Sequence, residues 1–325
     1  MKNIIIALSL ATSALAQDAA STLDRLINKS DTIARVKVIR SSLDTNSLRR
    51  VTFLVQMVIK GDPAERIELV ERNGRGCGQA LNGLIPGIGL LAFLADGSLT
   101  AGASRSLARL EPGLEEQVLA LTRTSDPTGR IRLLTNGLSS ASTRVRRDSA
   151  LALPLQPRLA SAGATDRAKM VAELRDRLDN RSDVAPSMLM AVSRLKLEEA
   201  LDVIVPHYLN GKDRPMQGMI LATIPTLGAA AAVQRVASHL PSDHNGQDRA
   251  VRLLRRLPTV EARTPLLTIL QESTSSSISI KAAHALIESG MGIELLSKHT
   301  SENVITTSLE QAEAPPVFRS IRPQR

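Results

Sequence analysis

The sequence predicts an α+β protein of two domains, in which a small β-barrel precedes an α-solenoid of about five helix pairs. Two patterns lead to this prediction: apolar residues recur every 31 positions in the second half of the chain, and apolar and polar residues alternate in the first hundred. Of the 325 residues, 43% are hydrophobic and only 1% are aromatic. This composition is typical of a folded protein, with a core built from aliphatic side chains.

The first 16 residues have the organisation of a cleavable export signal. Lys2 supplies positive charge, residues 4–11 are apolar, and small residues occur at Ala14 and Ala16, as expected before a cleavage site. We therefore expect cleavage after Ala16 and a mature protein in the periplasm or outside the cell. The formal net charge of +9 would fall by one with the loss of Lys2. The apolar run is too short for a membrane span, and we expect no transmembrane segment.

Residues 17–107 are predicted to form the β-barrel. Apolar side chains occupy every second position in three segments, which are 32–40, 51–59 and 66–69, and a short apolar run follows at 90–94. Alternation of this kind, with turn residues between the segments, is typical of antiparallel strands. Four or five strands of this length favour a small barrel.

Four short motifs follow one another in this block. They are Ser30-Asp31-Thr32-Ile33, the strand from Val51 to Asp62, Gly76-Cys77-Gly78, and the strand from Gly89 to Leu94. Their order resembles the netrin-like, or tissue-inhibitor-of-metalloproteinase-like, domains of exported bacterial proteins. The resemblance covers about residues 20–107 and implies an OB-type β-barrel.

The same resemblance implies a disulfide that this chain lacks. The family usually has a second cysteine after the last strand, where this sequence has Ala103, so Cys77 has no intramolecular partner. The animal inhibitors of the class chelate a protease zinc through an N-terminal cysteine, whereas the predicted mature chain begins at Gln17. That inhibitory mechanism is therefore not expected here.

Residues 128–292 are predicted to form paired helices. Two sets of apolar residues are spaced by 31 positions: Leu174, Val205, Val236 and Leu267, and Leu189, Ile220, Val251 and Ala282. Such a period is the mark of a helix-pair solenoid, in which neighbouring pairs bury each other's apolar faces. First helices are predicted over 167–180, 198–210, 230–240 and 261–271, each followed by a second helix over 185–195, 215–227, 248–257 and 278–289. An earlier pair is predicted over 130–138 and 145–153.

Two of these segments resemble the second helix of a HEAT repeat. Val145–Leu153 has arginines and Asp148 before a run of small apolar residues, and Ile280–Leu286 is similar. The resemblance implies about five HEAT-like pairs and brings no catalytic motif. A linker is predicted over 108–127, with its helix at 111–123, and the polar composition of 293–325 predicts a mobile tail. Pro206 is expected to bend its helix or end it early.

Two groups of arginines are the candidate sites for an anionic partner. They are Arg144, Arg146 and Arg147, and Arg249, Arg252 and Arg256. The three- and four-residue spacing of the second group places its members on neighbouring surface, and guanidinium groups bind carboxylates and phosphates well. The alternative is that both groups lie on solvated helix faces with local acidic partners. Export argues against nucleic acid as the partner and favours an acidic protein, an anionic envelope polymer or lipid head groups.

The remaining polar clusters do not indicate catalysis. Asp243, His244 and Asp248 could ligate a metal, but beside Pro241 and Gly246 they are better explained as capping and turn residues. The sequence has no glycine-flanked serine, no histidine pair at four-residue spacing and no phosphate loop, and the glycines at 74–78 are best explained as a β-turn. We expect no metal, no cofactor and no enzymatic activity.

The expected function is therefore that of an exported, non-enzymatic binding or scaffold protein. Two alternatives remain open. A protease-inhibitor-like protein could act through the barrel, and a HEAT-like lyase could act on a bound chromophore. The scarcity of aromatic side chains to clamp a chromophore argues against the lyase.

Overall fold

The computed structural model describes residues 22–43, 48–72, 81, 83–100, 106–211, 214–257 and 259–313. Within them, a nearly closed, barrel-like antiparallel sheet in the N-terminal part is accompanied by about 14 helices, almost all of which follow it. The predicted α+β layout is thereby confirmed. The predicted export signal, Cys77, Ala103 and the glycine-rich turn lie outside the described residues.

The contacts divide the chain into two compact units. The first runs to Arg177 and includes Ser182–Leu195, and the second contains Leu178–Arg181 and the residues from Lys196 onward. The sheet therefore shares a unit with the first helices that follow it. The domain boundary predicted at residue 107 stays a prediction.

The sheet has six strands, and every pairing in it is antiparallel. The strands are β1 (Thr32–Leu43), β2 (Leu48–Lys60), β3 (Arg66–Arg72), β4 (Gly89–Ala95), β5 (Ser98–Leu99) and β6 (Leu107–Arg109). Their order is β3-β2-β1-β4-β5, and β6 also pairs with β4. Strands β1 to β3 are the three predicted from alternation, β4 contains the predicted apolar run, and each of the four extends beyond its predicted bounds.

The inner face of the sheet is the face predicted from the alternation. Ala34, Val36 and Val38 are fully buried and pack with Phe53 and Leu90 in one apolar cluster. Three register shifts interrupt the pairing of β1 with β2. Irregularities of this kind bend a strand and increase its twist, which lets a short sheet curl around its own core.

The helices are numbered in chain order. They are α1 (Leu23–Lys29), α2 (Leu114–Arg123), α3 (Pro127–Gly137), α4 (Thr143–Ala152), α5 (Ala164–Asp179), α6 (Ala185–Leu195), α7 (Leu201–Asn210), α8 (Arg214–Leu227), α9 (Ala229–Ser238), α10 (His244–Leu254), α11 (Arg263–Glu272), α12 (Ser276–Glu288), α13 (Ile293–Leu296) and α14 (Glu302–Glu313). Helices α2 to α12 correspond to predicted segments. Pro206 lies inside α7, which continues to Asn210, so the proline does not end that helix.

Helix α1 was not predicted, and both of its ends are held by side chains from elsewhere in the first unit. At its start, the Leu23 amide donates to the Asp148 carboxylate of α4 at 3.1 Å. At its end, the Lys60 ammonium donates to the carbonyls of Ile27 and Ser30 at 3.0 and 2.5 Å. These bonds satisfy backbone groups that a helix cannot satisfy itself. They also tie α1 to the sheet and to α4.

In the second unit, helices contact their partners in the same predicted pair and their counterparts in the next. Helix α7 packs on α8 and on α9, α9 packs on α11, and α10 packs on α12. The spaced residues of the second helices, Ile220, Val251 and Ala282, are at most 1% exposed. Leu267 is only half-buried, because its neighbour Leu266 occupies the core position instead.

The described part of the predicted mobile tail is helical, which corrects that prediction. Helix α14 packs on α12, where Ile305 is 6% exposed and Ser308 is fully buried. The Ser308 hydroxyl donates to the Ile280 carbonyl of α12 at 3.1 Å. Composition misled the prediction because only Ile305 and Ser308 are buried over residues 302–310, and one of these two residues is polar. Residues 314–325 lie outside the described part of the chain.

Among the described residues, no single helix combines the length and the apolar character needed to cross a membrane. One pair bent by 120°, Met216–Leu227 with Ala229–Ser238, meets the same criteria of length and composition only when its two helices are taken together.

Candidate partner-binding surface

Helix α10 carries Arg249 and Arg252, Arg256 follows its last turn, and Asp243 determines where the helix begins. The Asp243 carboxylate accepts a hydrogen bond from the Gly246 amide at 2.9 Å, which satisfies an N–H group at the helix start. The lack of a side chain at Gly246 matters, because a Cβ there would lie 2.3 Å from the Pro241 ring. The capping role predicted for Asp243 is confirmed.

The carboxylate of Asp248 binds cationic side chains. It accepts from Lys281 at 2.5 Å and from Arg252 at 2.7 Å. Burial alone would raise the pKa of Asp248, but the Lys281 hydrogen bond and the charge of Arg252 outweigh it and hold the pKa below its ordinary value. In the part of the chain that the structure describes, no group of three or more His, Cys, Asp or Glu is placed to hold a metal ion.

Arg249 anchors α10 to the end of α7. Its Nε donates to the Leu209 carbonyl at 2.7 Å. Its guanidinium lies against Gly211, where a Cβ would come within 2.6 Å of a terminal nitrogen. A cation at the end of a helix also interacts favourably with the helix dipole. Arg249 therefore has a structural role. Its side chain lies along the protein and does not extend into solvent, but its charge still adds to the positive surface.

Arg252 and Arg256 extend into solvent. The Arg252 side chain is 63% exposed although it reaches Asp248. Arg256 is exposed, and within the described residues its side chain makes no ion pair or hydrogen bond. These two guanidinium groups have donors available to an external carboxylate or phosphate.

The only tyrosine of the chain is on α7, the helix to which Arg249 is anchored. Tyr208 of α7 is 3% exposed, and burial raises the pKa of its hydroxyl above the ordinary value. The positive charges of Arg252, Arg256 and Arg249 oppose this effect.

The neighbouring helix α12 extends the charged surface. Arg255 makes a two-bond contact with Glu288, with both nitrogens 2.8 Å from the carboxylate oxygens. Residues 244–256 and helix α12 together carry five Arg or Lys side chains and two carboxylates. This region therefore has an excess of three positive charges. We call Arg249, Arg252, Arg256 and Lys281 the α10 arginine surface, the lysine being included for its charge.

The first predicted group has local partners. The Nε of Arg144 lies 2.5 Å from Asp148, Arg146 donates to the Ser140 carbonyl at 2.6 Å, and Arg147 pairs with Asp183 at 3.2 Å. These contacts fit the alternative of a solvated helix face with nearby acidic residues. The two arginine groups belong to different compact units, so neither unit contains both groups.

The sequence prediction missed the contribution of α12 to this surface. Asp248 contacts Lys281, and Arg255 contacts Glu288, and in both cases the partners are 33 residues apart. Opposite charges spaced by 33 residues, close to the 31-residue apolar period, were therefore a usable signal. A search for apolar periodicity alone misses this signal, because such a search does not distinguish acidic from basic residues at the polar positions.

No protein-family model matches the chain, and no curated protein shows significant similarity to it.

Proposed function

We propose that this is an exported, non-enzymatic binding protein whose helices form a HEAT-like solenoid, and that the α10 arginine surface binds an acidic protein. The observation that carries the proposal is the excess of positive charge around two exposed guanidinium groups, Arg252 on α10 and Arg256 just after its end, where Arg249 anchors the helix to α7. Arginine on a rigid element is well suited to binding carboxylates, because its donors are arranged in advance.

The pattern of ion pairs supports the solenoid. Asp202 of α7 pairs with Arg235 of α9, and Asp248 of α10 pairs with Lys281 of α12. Equivalent helices of successive pairs are thus linked at a separation of 33 residues. A stack in which each pair contacts only its neighbours is the defining property of a solenoid.

We also propose that the sheet is an OB-type, netrin-like barrel, and a contact between the resembling motifs supports this. Gly61 is in the left-handed region at φ +77°, and a Cβ there would lie 2.5 Å from the Asp31 carbonyl. The Asp31 carboxylate accepts from the Asp96 amide at 2.7 Å, which lowers the pKa of Asp31. The motifs at 30–33 and 60–62 therefore meet at one end of the sheet.

Charge reversal tests the binding function. The wild-type protein and the Arg252→Glu/Arg256→Glu variant are immobilised and crosslinked to envelope extracts. We expect an acidic partner that is captured by the wild type and lost from the variant by tenfold or more, with capture falling as salt rises. The control is Arg132→Glu, at an exposed position of α3 in the other unit. Equal capture by all three proteins, or capture of no specific partner, would contradict the proposal.

Export is tested separately. Expression of the full chain in a bacterium, followed by fractionation and N-terminal sequencing, should give a periplasmic or secreted protein that begins at Gln17. A cytoplasmic protein that keeps Met1 or Lys2 would contradict this part of the proposal.

A further inference from the structure

A second candidate site lies in the first compact unit, far along the chain from the α10 arginine surface. A cleft of about 410 Å³ opens where α1, the start of α3 and the turn after α4 meet. Its size is within the range of sites for small organic molecules. Its side chains come from three separate segments of the sequence, which is why no motif revealed it.

The floor of the cleft is a buried polar network. Asp24 is 7% exposed, and its two carboxylate oxygens accept from Arg130 at 2.5 Å and from Gln156 at 3.2 Å. Arg130 also donates to the Asn28 side chain at 3.0 Å. The charges of Asp24 and Arg130 balance. The hydrogen bonds among these side chains fix the floor of the cleft in place without a ligand.

The rim of the cleft is not balanced. Arg25 and Arg158 both line it and are exposed. Within the described residues, neither side chain makes an ion pair or a hydrogen bond. The rim thus places two positive charges beside a floor of zero net charge, and such an arrangement attracts an anion.

One wall of the cleft is apolar. Leu155 is 40% exposed and lines the cleft beside Pro157 and Ala152. An exposed leucine next to two free guanidinium groups matches a ligand with two parts. A carboxylate would bind the arginines, and a short aliphatic chain would cover the leucine.

We propose that this cleft binds a small organic carboxylate with an aliphatic stem, with the carboxylate held between Arg25 and Arg158 and the stem packed on Leu155. Charge-assisted hydrogen bonds from guanidinium to carboxylate orient the head group, and burial of the stem removes apolar surface from water. Inorganic phosphate would satisfy only the first of these interactions.

Calorimetric titration of the full chain tests this assignment. The probes are hexanoate, acetate, hexanol and inorganic phosphate. We expect hexanoate to bind at least tenfold more tightly than each of the other three, because it alone makes both kinds of contact. Binding of phosphate as tight as that of hexanoate, or no detectable hexanoate binding at millimolar concentrations, would overturn the proposal.

Three variants locate the site. Arg25→Gln/Arg158→Gln should weaken hexanoate binding at least tenfold, and Leu155→Ser should bring hexanoate close to the affinity of acetate. Arg132→Gln, the control, should leave binding unchanged. All four substituted positions are exposed, so we expect wild-type thermal unfolding from each variant. Unchanged hexanoate binding in a folded double variant would show that the cleft is not the site.

Discussion

Two charged residues that the sequence analysis singled out, Asp148 and Arg249, serve the fold itself. Asp148, taken from sequence as part of a HEAT-like helix, accepts the first amide of α1 and lies 2.5 Å from the Nε of Arg144. Its burial raises the pKa of the carboxyl, although the charges of Arg144 and Arg147 act in the opposite direction. Arg249 similarly binds a carbonyl of α7. The backbone partners of Asp148 and Arg249 cannot be read from charge spacing, because they lie 125 and 40 positions away along the chain.

Gly61 is expected to be much less tolerant of substitution than Gly97. Both have positive φ values, +77° and +71°, but a Cβ at Gly61 would lie 2.5 Å from a backbone carbonyl, whereas at Gly97 nothing lies within 4 Å. Gly97→Ala should cost about 1 kcal/mol of unfolding free energy, from the left-handed conformation alone. Gly61→Ala should cost about 3 kcal/mol, since backbone must also shift. Urea unfolding of both variants measures the difference, and equal losses would show that the contact with Asp31 is unimportant.

The ion pairs of Asp248 should stabilise the protein only while this carboxyl is ionised. Its folded-state pKa is below the ordinary value of 3.8, so between the two pKa values the unfolded state binds more protons and stability rises with pH. Asp248→Asn should cost about 1 kcal/mol near pH 7, a modest figure because both partners are solvent-exposed. This cost should shrink as the pH falls below about 4.

Urea unfolding of wild type and Asp248→Asn at a series of pH values checks this expectation. Glu261→Gln is the control, at an exposed position with no ion pair within the described residues. A difference between wild type and Asp248→Asn that stays constant down to pH 2.5 would exclude an ionic origin. A similar difference for Glu261→Gln would show that the effect is general.

At the scale of elements, periodicity predicted the helices well and their ends less well. The helix predicted at 185–195 has those bounds in the structure, because its buried stripe and its ends coincide. Helix α10 begins at His244 instead of the predicted Asp248. The Asp243 cap stabilises an additional turn of polar residues before the apolar stripe begins. Helix α1 escaped prediction because its seven residues are too few for a period to show. It is stabilised by Asp148 and Lys60, which are distant in sequence.

The helical nature of residues 302–313 can be tested with neighbouring substitutions. Ile305 is 6% exposed against α12, whereas Thr306 is exposed. Ile305→Asp should lower the unfolding free energy by about 3 kcal/mol, because it buries a charge and removes an apolar contact. Thr306→Asp should change it by less than about 0.5 kcal/mol. If this segment were a mobile tail, the two substitutions would have the same negligible effect in thermal or urea unfolding.

At the scale of the whole molecule, the sequence indicated a barrel and a helical array, but contacts divide the chain elsewhere. The sheet belongs to the same unit as α2, α3 and α4, because α1 links the sheet to α4 through Asp148 and Lys60. This division also separates the two arginine groups that the sequence placed in one array. The candidate surface could be found from sequence only in part: the spacing within α10 was visible, whereas the partners supplied by α12 depend on packing.

The distribution of aromatic residues allows the two units to be followed separately. Tyr208 is the only tyrosine, the chain has no tryptophan, and Tyr208 lies in the second unit, so its fluorescence reports the unfolding of that unit. Phe53 is buried in the sheet of the first unit, and Phe53→Ala should destabilise that unit by about 3 kcal/mol.

If the units unfold independently, Ile305→Asp will shift the fluorescence midpoint in urea to lower concentration. Phe53→Ala will leave that midpoint in place while shifting part of the circular dichroism signal. Equal shifts of the fluorescence midpoint by both substitutions would instead mean that the whole chain unfolds in one cooperative step. Helix α1 and its bonds to Asp148 and Lys60 would then belong to a folding unit larger than the one that the contacts indicate.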